Sequence, residues 1–191
     1  MLKSLARRQN GKAIRYRRGE DAGIVGKELV YSSNGDANGV FYNIGTLNGA
    51  QAWTNPHTAG YITAVTSGFF GFDPISALVN RANSTVHTTL SRLYSYLNID
   101  LGSNRRLLLK GFTFQNRADS SSATSQIAVT ASQDNSTFVP IGNYNTNSGQ
   151  SVWTYSSVSG QTIYYRYFRF HNNDSDYMIT SEIELYGSLV G

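Results

Sequence analysis

The chain has 191 residues, 40% hydrophobic and 13% aromatic, with charged residues at only 15% and no cysteine. That length suits one packed domain plus an extension, and the missing cysteines exclude disulfide frameworks, thiolate nucleophiles and Cys-based zinc sites. Of 16 basic residues, seven fall within residues 1–18 with no acid among them, which leaves nine against 12 acids in the rest, so the net charge of +4 divides into +7 and −3.

Residues 1–30 read as a basic arm and linker. The start, Met1-Leu-Lys-Ser-Leu-Ala-Arg-Arg8, has no apolar core of signal-peptide length. No run approaches the roughly 18 apolar residues of a membrane span, so a soluble, unsecreted protein is expected. A basic arm on a slightly acidic body reads as an electrostatic tether. Arg7, Arg8, Arg15, Arg17 and Arg18 are expected to anchor it on other protein subunits of an assembly; the bland alternative is a solvated tail. Nucleic acid is a weaker partner. The arm offers only Tyr16 to stack on bases, and the body has no basic stripe to extend a phosphate-binding footprint.

From residue 31 to 191 a single β-sandwich is expected. Short apolar or alternating runs are separated by Gly/Asn/Ser/Asp clusters, beginning with the turn-rich Tyr31-Ser-Ser-Asn-Gly-Asp-Ala-Asn-Gly39. Strands are expected near Val40–Asn43, Tyr61–Ser67, Tyr96–Asp100, Leu107–Gln115, Gln126–Ser132, Phe138–Tyr144, Ser151–Ser157, Ile163–His171 and Ile179–Tyr186. In the run from Ile163 to His171 the alternation puts Tyr165, Tyr167 and Arg169 on one face. Tyr164, Arg166, Phe168 and Phe170 take the other. Asp134-Asn-Ser136 is a tight-hairpin candidate. A short helical turn is expected after Asp73-Pro74, where Ile75, Leu78 and Val79 have helical spacing. With no long amphipathic helix, βαβ folds are disfavoured.

These runs together resemble the discoidin, or coagulation factor 5/8 C-type, family. Tyr96-Leu-Asn-Ile-Asp-Leu-Gly102 is similar to its "F-x-V-D-L-G" strand. Phe112-Thr-Phe-Gln-Asn-Arg117 resembles the strand that follows. Ile127-Ala-Val-Thr-Ala-Ser-Gln-Asp-Asn135 resembles "V-x-x-S-x-D-G", with Asn135 in place of Gly. Tyr165-Arg-Tyr-Phe-Arg-Phe170 and Ser181-Glu-Ile-Glu-Leu-Tyr-Gly187 resemble its "RYFRI" and closing "S-x-x-E-L-Y-G" strands. The segment Gly39-Val-Phe-Tyr-Asn-Ile-Gly-Thr46, with Gly49, Trp53-Thr-Asn-Pro-His57 and Gly60, is similar to the intracellular variant found beside BTB and HECT domains. The resemblance covers residues 39–187 and implies an all-β antiparallel sandwich, a jelly roll of the galactose-binding type, with an extended N-terminal arm. Independently of the family, Gly102 suits a strand-ending turn with φ > 0, Ile183 and Leu185 alternate with Glu182 and Glu184, and Trp53 reads as a plug at one end of the sandwich.

Catalysis is poorly supported. His57, His87 and His171 are isolated from any nucleophile, and no G-x-S-x-G, H-E-x-x-H or glycine-rich phosphate loop occurs. Glu182 and Glu184 share a strand face, and the simple reading is an exposed edge or an ion-pairing face. A non-enzymatic protein is therefore expected. The resemblance implies a ligand site in loops at one end of the sandwich, where His87, Arg117, His171 and Asn172 fall; the bland reading makes Arg117 a strand cap and His171 part of an ordinary turn. The resemblance also implies calcium in many relatives, held by a loop Asp, carbonyls and a late Glu. Glu182 matches the Glu, but Asn80 stands where the Asp would be, so no cofactor is expected. The leading functional expectation is a structural or adhesion module of a larger assembly, a phage virion decoration or tail protein, displaying the sandwich for partners or glycans. A free lectin-like domain and an intracellular protein-interaction domain are the alternatives.

Overall fold

The computed structural model describes residues 26–67, 74–81, 95–116, 124–146, 151–173 and 178–191, together with the backbone of 7–9, 12–14 and 88–90. In chain order the elements are β1 (Arg7–Gln9), β2 (Lys12–Ile14), β3 (Lys27–Leu29), α1 (Val40–Gly45), β4 (Thr63–Thr66), a 3-10 turn (Ile75–Val79), β5 (Thr88–Leu90), β6 (Tyr96–Asp100), β7 (Arg106–Asn116), β8 (Gln126–Ser132), β9 (Val139–Asn145), β10 (Trp153–Ser157), β11 (Tyr167–Asn172) and β12 (Met178–Val190). Two antiparallel sheets form the sandwich. The first runs β10-β7-β12-β3, with β5 also on β12, and the second β4-β6-β11-β8-β9. No helix among the described residues is long and apolar enough to cross a membrane.

The core follows from period-2 alternation. Ile127, Val129 and Ala131 of β8, Phe168 and Phe170 of β11, and Leu97 and Ile99 of β6 point inward and are buried. They meet Phe112 and Phe114 of β7 and Ile183 and Leu185 of β12, with Phe112 edge-on to Phe170 at 5.3 Å. Aromatic and β-branched side chains fill such a pleated interface with few voids. In β7 the buried set changes phase, from Leu107 and Leu109 to Phe112 and Phe114. A bulge explains this: Tyr186 pairs with Gly111 and Gly187 with Leu109, so Lys110 is the extra residue.

The expected turns are present. Gly102 has φ +91. Asp134 accepts hydrogen bonds from the N–H groups of Ser136 and Thr137, both at 2.9 Å, and Asn135 takes φ +63, the conformation a glycine would adopt there. Pro74 precedes the 3-10 turn, as expected.

Four sequence expectations are corrected. Val40–Asn43 is not a strand but most of α1. Its β-prone Val-Phe-Tyr is overridden because the Glu184 carboxylate, from the far end of the chain, accepts the N–H groups of Phe41 at 2.8 Å and Tyr42 at 3.2 Å. A side-chain acceptor on these orphan donors nucleates the helix. The run from Ile163 does not form one strand: Tyr165 bridges Leu107 of the opposite sheet, and β11 starts only at Tyr167. Lys27–Leu29, read as linker, pairs with Gly187–Leu189 of β12 and is part of the first sheet. The acid face of β12 is not an exposed edge: Glu182 is 4% and Glu184 6% exposed. In the arm, Arg7–Gln9 and Lys12–Ile14 pair as an antiparallel ladder.

Candidate functional site

Two surfaces bring polar and aromatic groups together, one on the outer face of each sheet.

On the second sheet, β11 presents Tyr167, Arg169 and His171 outward, all half-buried, while Phe168 and Phe170 fill the core. Arg169 lies beside Asn98 of β6 and Thr130 of β8 in register. Its guanidinium carbon is 4.3 Å from the Tyr96 ring centre and 3.6 Å from that of Phe138, so two aromatic rings contact the cation. Its Nε donates to Asn98 Oδ1 at 3.2 Å, and Asn98 Nδ2 donates to Asn135 Oδ1 at 3.1 Å. The Asp134-Asn-Ser136 turn thus orients Asn98, which orients the arginine; among the described residues only Asn98 accepts from this guanidinium. His171 pairs with Tyr96 across the strands, its ring 5.6 Å from the tyrosine, and shares a 3.0 Å hydrogen bond with Thr130 Oγ1. Burial, and after it the Arg169 charge, holds its imidazole below the usual histidine range. This surface offers a fixed planar donor group flanked by aromatic edges, an arrangement suited to a polyhydroxylated or planar polar ligand.

On the first sheet, β12 turns Glu182, Glu184 and Tyr186 outward, yet all three are buried. The segment 31–38, α1 and the 3-10 turn cover them. Glu184 Oε1 accepts from Phe41 N–H and from Leu185 N–H at 2.9 Å, and Oε2 from Tyr42 N–H. Gly39 makes this approach possible, because a Cβ there would lie 2.1 Å from the Glu184 side chain. Burial pushes the Glu184 carboxyl up to about 7, against the three N–H donors. Burial, and then the Glu184 charge, pushes Glu182 well up. Arg81, a non-glycine residue at φ +59, donates its backbone N–H to Glu182 Oε2 at 3.0 Å. Its guanidinium donates to the carbonyls of Asp36 and Gly35, both at 2.9 Å, and covers the Tyr42 ring at 4.6 Å. Asp36 accepts from Ser32 N–H, Ser33 N–H, Asn38 N–H and Tyr186 Oη. Burial opposes its charge, but the donors from Ser32, Asn38 and Ser33 hold its carboxyl below the usual range. A recess of about 180 Å³ opens between this corner and Trp153.

The residues expected from sequence are distributed as follows. His171 lies in the first surface. Asn172 is the last residue of β11, points inward at 1% exposure, and its N–H bonds Ser95 O at 2.8 Å. The two are therefore strand residues on opposite faces, not members of a turn. His87, Arg117, Arg15, Arg17 and Arg18 lie outside the described residues, and of Arg7 and Arg8 only the backbone in β1 is described. Asn80 ends the 3-10 turn. Sequence reasoning passed over Tyr96, Phe138 and Arg81. The Arg169 face of β11 was visible in the alternation, whereas Arg81 carries no local signal, since its partners are 45 and 101 residues away.

The sequence profile of the F5/8 type C domain matches residues 61–185. A BTB/POZ domain-containing protein of Arabidopsis thaliana is 32% identical over 95 residues, which are 47% of this chain and 12% of that protein, so the chain spans only a small part of its relative. Among solved structures, CpGH89CBM32-5 from Clostridium perfringens, in complex with GalNAc-β-1,3-galactose, superposes with a TM-score of 0.57 at 11% identity, over 67% of this chain and 96% of that one. The family 32 CBM from C. perfringens NanJ, in complex with galactose, superposes with a TM-score of 0.56 at 12% identity, over 66% and 94%. The two-sheet architecture, the ordered strand motifs and the profile agree: this chain belongs to the F5/8 type C domain family.

Proposed function

We propose that this chain is a non-enzymatic glycan-binding module that uses the outer face of its second sheet, with Arg169 and Tyr96 as principal contacts and His171 beside them. The observation that carries this reading is the Tyr96–Arg169–Phe138 stack, held by Asn98. Sugars are recognised by aromatic C–H contact together with planar hydrogen-bonding groups, and a pre-oriented guanidinium supplies the second without an ordering cost. Structures of the same fold hold galactose and GalNAc-β-1,3-galactose, which makes galactosides the first ligands to try. Titrating the full chain with galactose and GalNAc-β-1,3-galactose, followed by amide chemical shifts, tests the reading. Shifts concentrated on Tyr96, Asn98, Arg169 and His171 are expected. Shifts confined to residues far from β6 and β11 would remove it.

A second reading is favoured by the charge division, +7 in residues 1–18 against −3 in the remainder. In it the arm anchors the sandwich on an acidic partner subunit of a larger assembly, a virion being one such setting, and the glycan face is displayed outward. Replacing Arg7, Arg8, Arg15, Arg17 and Arg18 by Ala in the full chain should abolish association with the assembly while leaving galactoside binding intact. Retained association would exclude the anchor role.

A further inference from the structure

The corner around Arg81 gathers oxygen groups that would suit a divalent cation: the Glu182 carboxylate and the carbonyls of Gly35 and Asp36. Calcium of the kind the family resemblance implies would take such a set, but the groups of this chain do not fit it. A metal needs oxygen lone pairs turned towards it. Here the Arg81 N–H points at Glu182 Oε2, and the two guanidinium nitrogens take the two carbonyls. Glu184 has three N–H donors, and Asp36 is filled by its own loop. Asn80, not an acid, precedes Arg81. Among the described residues no three His, Asp or Glu side chains gather to hold a metal ion.

We infer that Arg81 is the built-in cation of this corner: its guanidinium and backbone N–H tie the 32–36 loop to the buried acids of β12 in the place of a divalent metal, so the domain is independent of calcium. The left-handed backbone at Arg81, φ +59, is the conformation that aims the N–H at Glu182 while the side chain reaches back over Tyr42 to the loop. A non-glycine residue in that conformation is strained and persists only where its surroundings hold it. The four partners do so. The inference is independent of the glycan-binding reading, since Arg81 lies over the first sheet and Arg169 belongs to β11 of the second.

Thermal unfolding of the full chain, with EDTA and with added calcium, tests it. The melting temperature of the wild-type chain should move with neither. Arg81→Gly keeps the backbone N–H and relieves the left-handed strain, so it isolates the guanidinium. It should lower the melting temperature by roughly 2–4 °C. The double variant Asn80→Asp/Arg81→Gly should regain part of that loss on adding calcium and lose it again with EDTA. Arg81→Lys, which keeps the charge but offers one ammonium in place of the two guanidinium nitrogens that reach the two carbonyls, covers the case in which the glycine variant does not fold and should also melt below wild type. A wild-type melting temperature that falls with EDTA or rises with calcium would overturn the inference. So would an Arg81→Lys variant as stable as wild type, or a double variant indifferent to calcium.

Discussion

Arg81 and Arg169 each lie over an aromatic ring, 4.6 Å from Tyr42 and 4.3 Å from Tyr96 respectively. Around Arg81 the backbone N–H and both outer guanidinium nitrogens meet protein acceptors: a buried carboxylate and two loop carbonyls. Around Arg169 the guanidinium lies over the Tyr96 and Phe138 rings, while among the described residues only its Nε edge is engaged, by Asn98. The same residue type is thus an internal brace in one sheet and an oriented external donor in the other. What separates them is where the hydrogen-bonding edge points, not the aromatic contact. The brace also sits over two buried carboxylates, whereas Asp100 of the second sheet is bound bidentately by Arg166, at 2.5 and 2.7 Å.

The sharpest way to break the comparison is to remove the acid beneath the brace. Glu184→Ala leaves the N–H groups of Phe41, Tyr42 and Leu185 without their acceptor in a buried site. A loss of about 3 kcal/mol or more is expected in denaturant unfolding, as each such orphan costs on the order of 1–3 kcal/mol. If the domain is as stable as before, the corner does not hold α1.

The next effect is a pH dependence. Glu184 has a folded-state value raised from 4.5 to about 7, so the folded chain binds a proton that the unfolded chain releases. Its contribution is fully present below pH 4.5 and is lost as pH rises through about 7. Glu182 is raised too, and acts in the same direction. Stability should fall across that window by on the order of 3 kcal/mol, because each tenfold change in proton affinity is worth about 1.4 kcal/mol. Unfolding curves collected through the window measure it, and Glu184→Gln should flatten the slope. A slope of opposite sign would show that the N–H donors, not burial, dominate this carboxyl.

On the other sheet the expected effects are on binding rather than folding. Arg169→Ala should weaken galactoside affinity about tenfold or more, equivalent to roughly 1.4 kcal/mol, while moving the melting temperature by only about 2 °C. An affinity loss matched by an equal loss of stability would make Arg169 a second brace. The smallest effect is expected from Asn135→Gly. It suits the φ of +63 but removes the acceptor that orients Asn98. Stability should change by no more than about 0.5 kcal/mol, and affinity by about twofold. If affinity is unchanged, Asn98 holds Arg169 without the turn.

Much of the fold was legible because its causes are local. Ile127, Val129 and Ala131 alternate with the smaller or polar Gln126, Ala128, Thr130 and Ser132, and the strand Gln126–Ser132 lies where the alternation put it. The Asp134-Asn-Ser136 turn and the Pro74-led helical turn carry their own chemistry. The alternation also put Arg169 on the face opposite Phe168 and Phe170, which the burial bears out. Legibility stopped where a contact crossed the chain. In Gly39-Val-Phe-Tyr the local preference is for a strand, and only Glu184, 143 residues from Phe41, makes it helical. Glu182 and Glu184 look like an exposed polar face because alternation says which residues share a face, not what covers it.

By itself the sequence determined the sandwich, its strand alternation, its turns and its family, because these depend on the pleat and on backbone conformation within a few residues. The tertiary structure alone decided that the acids of β12 are buried, that Arg81 joins them to the 32–36 loop, and that Asn135 reaches Arg169 through Asn98. Those outcomes depend on which side chains packing brings within about 3 Å of one another, a distance set by the fold and not by spacing along the chain.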